Sequence, residues 1–115
     1  MSADDSLPLL KGTLDLLILK ALSWRPMHGY AISTWLEQRS KGTLEIDDSA
    51  LYQALQRMET RHLLKGEWAM TDTNRRARYY KLTPAGRRRL DADAAVWSRY
   101  TKSVSAILAL TSRTT

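Results

Sequence analysis

The stretch TDTNRRARYYKLTPAG, Thr71 to Gly86, changes character several times within sixteen residues. Asp72, Thr73 and Asn74 read as a polar turn, Arg75, Arg76 and Arg78 follow, and Tyr79 to Leu82 alternate like a strand. Thr83-Pro84 then reads as a helix start, because a Thr oxygen caps free backbone N–H groups and Pro loses nothing at the first helical position. Just upstream the period is also two: Leu64, Trp68 and Met70 fall on one side, Lys65, Glu67 and Ala69 on the other. Two strands around TDTNRR predict a hairpin with its charge at or beside the tip. Charges of this kind keep an exposed hairpin soluble and protect its edges. They also suit a wing on DNA, since narrow A·T minor grooves concentrate negative potential that attracts arginine. Three arginines within four residues fit the second reading better.

Three helices precede the hairpin. The first is expected over about Lys11 to Ser23, where Leu10, Leu14, Leu17, Ile18, Ala21 and Leu22 form one stripe at helical spacing. Leu9, Leu16 and Leu19 fall on the opposite side. A helix apolar on two faces requires two partners, and a subunit interface is expected to supply the second. "RPMHGY" reads as a turn, and the second helix follows from about Gly29 to Arg39 with Ile32, Trp35 and Leu36 inward. A short extended piece at Thr43 to Ile46 leads to Asp47, Asp48 or Ser49 as cap of a third helix, SALYQALQRMETR. That helix buries Leu51, Ala54, Leu55 and Met58. Its outer face carries Tyr52, Gln53, Gln56 and Arg57.

Downstream, the helix launched by Thr83-Pro84 is expected to run to roughly Leu110. Leu90, Trp97, Tyr100, Val104 and Ile107 recur at heptad-like spacing with Asp93 as the polar intrusion, as in a dimer seam. The dimer seam is the simplest reading; a sharper one makes Trp97 part of a flat aromatic site for a planar small molecule. Residues 1–8 and 112–115 read as flexible tails.

Helix, helix, helix and a charged hairpin in that order describe a winged helix-turn-helix. The fold class is mainly α with a small two-stranded β wing, residues 9–83 forming the DNA-binding domain and 84–111 a long C-terminal dimerisation helix. The third helix is then the recognition helix. A Gln amide can pair with adenine N6/N7 and Arg with guanine O6/N7, while Ser49 and Tyr52 can hold phosphate. Tyr30, Asn74, Arg75, Arg76 and Arg78 complete the candidate DNA contacts. Any amphipathic helix also turns polar residues outward, so the helix and the wing are stronger together than apart.

Charge distribution agrees. The net charge is +6, and residues 57–89 alone hold ten basic and three acidic side chains. Such concentration suits a polyanion partner. The run Arg87, Arg88, Arg89 lies at the wrong end of its helix for the dipole and reads equally as a solvated face. With 115 residues and no cysteine, one domain without disulfides or a thiolate metal site is expected. The apolar run Leu14 to Leu22 is too short to span a bilayer and carries Asp15 and Lys20, and "MSADDSLP" is acidic, so neither a membrane span nor a secretory signal is expected. The default location is cytoplasmic. No catalytic constellation appears: His28 and His62 lie in turns far apart, His28 reading as a turn or capping residue, and "GTLD" and "PAGRRR" lack the glycine spacing of phosphate loops. No cofactor and no metal are expected.

Three motifs in order carry a resemblance: Gly29-Tyr30 opening the second helix, Leu51-Tyr52 early in the third, and Tyr-Tyr-x-Leu-Thr-x-x-Gly from Tyr79 to Gly86. Together, over about Leu9 to Leu110, the chain resembles the PadR family of bacterial transcriptional regulators, in its small subclass with a single dimerisation helix. That resemblance implies a homodimeric repressor on an inverted-repeat operator in double-stranded DNA, often released by a small phenolic or drug-like compound or a stress signal. The chain departs from the family pattern at Ser49-Ala50, where Gly-Ser is usual, at Gln53, where Pro is usual, and at His62, where Gly commonly ends the third helix. A positive φ at His62 would carry a steric cost. The rival reading is a winged helix that assembles with proteins and leaves DNA alone.

Overall fold

The structure, a computed structural model, describes residues 7–10 and 12–111. The element order is β1 (Leu7–Pro8), α1 (Thr13–Leu22), β2 (Met27–His28), α2 (Gly29–Arg39), β3 (Leu44–Glu45), α3 (Asp48–Thr60), β4 (Leu64–Met70), β5 (Arg76–Leu82) and α4 (Pro84–Leu108). Residues 1–6 and 112–115, most of the expected tails, lie outside the described residues, as does Lys11 at the expected start of the first helix.

The hairpin is as the alternation predicts: β4 and β5 pair antiparallel in a register running from Leu64↔Leu82 to Met70↔Arg76. Two differences concern short strands. Met27–His28 in the expected turn pairs antiparallel with Tyr79 and Tyr80, making a third strand on the hairpin's edge. Leu7–Pro8, expected in the tail, pairs parallel with Leu44–Glu45. Two-residue strands have no periodicity to reveal them; they exist because a neighbouring strand offers free backbone groups.

The core gathers Ile18, Leu19, Ala21 and Leu22 of α1, Met27, Ile32 and Leu36, the inner face of α3, Leu64, Tyr80 and Leu90. This corrects two expectations about the seam. Leu19 (1 % exposed) and Leu90 (4 % exposed) lie in the protomer core. The second partner of α1 is supplied within the chain, because the first half of α4 folds back onto it. The rest of α4 projects past the body, giving extents of 63 × 37 × 21 Å.

One junction sets the direction of α4. Thr83 Oγ1 accepts the Gly86 N–H at 3.0 Å and donates back to the carbonyls of His62 (2.7 Å) and Leu63 (3.0 Å). A Cβ on Gly86 would sit 2.1 Å from the Leu63 oxygen, so only glycine lets the helix start this close. The Leu-Thr-x-x-Gly motif thus welds α4 to the turn after α3.

Candidate nucleic-acid interface

The local sequence of α3 divides it cleanly. Asp47 Oδ2 accepts the Ala50 N–H at 2.9 Å and caps the helix. Leu51, Ala54, Leu55 and Met58 are buried, leaving Ser49, Tyr52, Gln53, Gln56 and Arg57 on the exposed side. Tyr52 lies across Gly29, where an added Cβ would come within 2.5 Å of its ring. The Gly-Tyr and Leu-Tyr motifs, twenty-odd residues apart, therefore meet as one packing unit. Tyr30 stays exposed and stacks on His28 at 6.4 Å. His28 Nδ1 accepts the Ala31 N–H at 3.1 Å, so this histidine caps α2.

Opposite stands the wing. Its tip is closed by Thr71 N–H to the Arg75 carbonyl (2.7 Å), Asn74 N–H to the Thr71 carbonyl (2.9 Å) and Arg75 N–H to Thr71 Oγ1 (3.1 Å). Asn74 takes φ 63°, a left-handed position that Asn tolerates better than most residues. The three arginines differ in placement. Arg75 is free at the tip, Arg76 lies 4.7 Å over the Trp68 ring, and Arg78 turns inward to the Glu59 carboxylate of α3. Between helix and wing runs a groove of about 920 Å³ lined by Tyr30, Tyr52, Trp68, Arg75, Arg76 and Arg78 among others. Arg57 is engaged as well: its terminal nitrogen bonds both oxygens of Asp15 on α1, at 2.6 and 2.8 Å.

Around Arg78 the electrostatics are coupled. The hydrogen bond with Glu59 raises the Arg78 pKa further, so its proton is held more firmly. Burial pushes the Tyr80 phenol above its ordinary value, and the nearby Glu59 charge adds to the rise. Glu59 and Trp68 escaped the sequence reading. Trp68 was legible as a large aromatic on a strand, but its partners sit across the hairpin and Glu59 is 19 residues from Arg78.

On the other side of the molecule, α1 and α4 frame an apolar groove of about 720 Å³, lined by Leu9, Leu16, Leu90, Ala94 and Trp97 among others. Leu9 and Leu16 are half-buried, whereas Tyr100 and Ile107 are exposed, and Trp97 and Val104 are each 38 % exposed. Trp97 and Tyr100 sit ring to ring at 6.4 Å. Among the described residues there is no cluster of potential metal ligands. No helix there is long and apolar enough to cross a membrane.

A model of the transcriptional regulator PadR-like family matches residues 18–92, from the core of α1 through the wing into α4. The chain belongs to the PadR-like family. A PadR family transcription regulator from Clostridium difficile shares the fold at a TM-score of 0.74 with 28% identity, covering 84% of this chain and 99% of that one. A PadR family transcriptional regulator from Eggerthella lenta does so at 0.74 with 30% identity, covering 88% and 86%. An uncharacterized protein, protein X of Lysinibacillus sphaericus, is 24% identical over 90 residues, 78% of this chain and 83% of that one. The PadR-like fold is thus this chain's fold, and the family consists of transcriptional regulators rather than enzymes. His62, where the resemblance led us to expect glycine, takes φ 61°.

Proposed function

We propose that this PadR-like protein is a homodimeric repressor that binds an inverted repeat. One observation carries the reading: Tyr52, on the exposed face of α3, and the wing arginines line the same groove. Ser49, Tyr52, Gln53 and Gln56 then address the major groove, with Tyr52 and Ser49 on phosphate and the glutamines on base edges. Arg57 joins them by exchanging Asp15 for DNA. Asn74, Arg75 and Arg76 hold the neighbouring backbone or minor groove. Residues 9–83 act as the DNA-binding domain, and 84–111 pair with a second copy, apolar groove to apolar groove. The groove around Trp97 also suits a planar aromatic effector, since its lining is almost wholly apolar and includes an indole.

The test is fluorescence anisotropy with fragments of the protein's own promoter region over a salt series. Specific retention on an inverted repeat, with log K falling linearly against log salt, is the expected outcome. Absence of salt-sensitive retention would leave a winged helix that serves protein assembly instead, whereas equal salt-sensitive binding to every fragment would leave a DNA binder without an operator.

A further inference from the structure

Arg78 is walled on three sides. Gly66 lies beneath it, where a Cβ would come within 2.6 Å of its Nε. The Trp68 ring, its cross-strand partner, stands with its centroid 5.7 Å from the guanidinium. Ahead, the guanidinium meets both Glu59 oxygens, Nε to Oε1 at 3.4 Å and a closer contact from a terminal nitrogen to Oε2. Both side chains are about two-thirds covered, at 32% and 29% exposure. Glu59 belongs to the last turn of α3 and Arg78 to the middle of β5. Among the described residues this is the ion pair that joins the third helix to the wing.

We infer that the Glu59–Arg78–Trp68 clasp is a positioning device that fixes the wing's distance and angle to the recognition helix, and that Arg78 is not itself a groove contact. The inference rests on the DNA-binding reading above. An arginine already forked onto a carboxylate offers phosphate little net charge. The clasp matters because helix and wing must reach two places on one duplex at once. A misplaced wing loses its contacts although Arg75 and Arg76 are intact. Wing cations on an unclasped hairpin are tethered but no longer aimed, so ordering them on DNA carries an entropic cost.

Charge and position predict opposite signs, which makes the test decisive. Glu59→Gln is nearly isosteric and removes a negative charge from a DNA-facing region. Simple electrostatics says that it tightens binding and steepens the salt slope by about one phosphate contact as Arg78 is released. The clasp predicts binding weaker by roughly tenfold, as expected for losing a charge-assisted hydrogen bond, with the salt slope unchanged. Tighter binding, or a steeper slope, overturns the inference. The swapped pair Glu59→Arg with Arg78→Glu keeps the net charge and restores the link; recovery of most of the affinity supports the clasp. A folded swap variant, verified by circular dichroism, that binds no better than Glu59→Gln counts against it. If the unmodified protein retains no DNA at all, the function proposal fails first and separately.

Discussion

His62 follows the C-cap of α3 at φ 61° and closes the helix by donating to the Glu59 carbonyl at 2.9 Å, while Leu63 donates to Met58 at 2.9 Å. This is the Schellman arrangement, which favours glycine because a Cβ is strained in the left-handed region. His62→Gly should therefore raise the unfolding free energy by about 0.5–1 kcal/mol, the relief of strain being partly offset by greater freedom of the unfolded chain. Chemical denaturation checks it, and a decrease would show that the imidazole makes a compensating contact. Tyr80 gives a pH signature. Its folded pKa is raised, so its contribution is fully present below the ordinary value of 10.0 and is lost as pH rises through the higher folded value. Stability should accordingly fall above about pH 10, and the fall should be shallower in Tyr80→Phe, measured by urea melts at pH 9 to 11.5.

At the scale of elements, the wing shows how one run of charge is divided by geometry. Strand alternation sends Arg76 and Arg78 to the Trp68 face, whereas Arg75 sits in the turn and faces solvent. Replacing Arg75 and Arg76 together by Ala should weaken binding to all DNA sequences alike and lower the log K against log salt slope by about one per lost phosphate contact. Replacing Gln56 should instead erase discrimination between operator and mismatched sites, by roughly 1–3 kcal/mol where its amide makes a bidentate base contact. Competition anisotropy separates the two, and an unchanged slope in the arginine variant would remove the wing from the interface. The hairpin, the α3 cap and the Thr-Pro start were legible because each depends on neighbours within a few residues. Arg57 and Arg78 were legible as exposed cations only. Their carboxylate partners, 42 and 19 residues away, were not.

For the molecule as a whole, α4 joins the two ends of the proposed mechanism. It begins at the turn that closes α3, lines the α1 groove with Trp97 and carries the exposed Tyr100, Val104 and Ile107 further along. A shift in how two α4 helices pack would be transmitted through the Thr83–Leu63 weld to the recognition helices, whose separation must match a turn of DNA, about 34–36 Å. Trp97→Ala should move the protein toward monomer in sedimentation velocity. Its thermal midpoint should also become less dependent on concentration, as expected when folding and association are linked. A dimer of undiminished affinity would restrict Trp97 to the effector groove.

The helices, the hairpin and the caps follow from local periodicity and short-range hydrogen bonding, and the concentration of charge between residues 57 and 89 from composition, so all were readable before folding is considered. Which leucines of α1 face inward was settled by packing, since it depended on α4 folding back. Packing likewise separated the free arginine of the wing from the two held by their neighbours. Like charges look alike in a sequence; what each is paired with is settled by segments that meet only after the chain has packed.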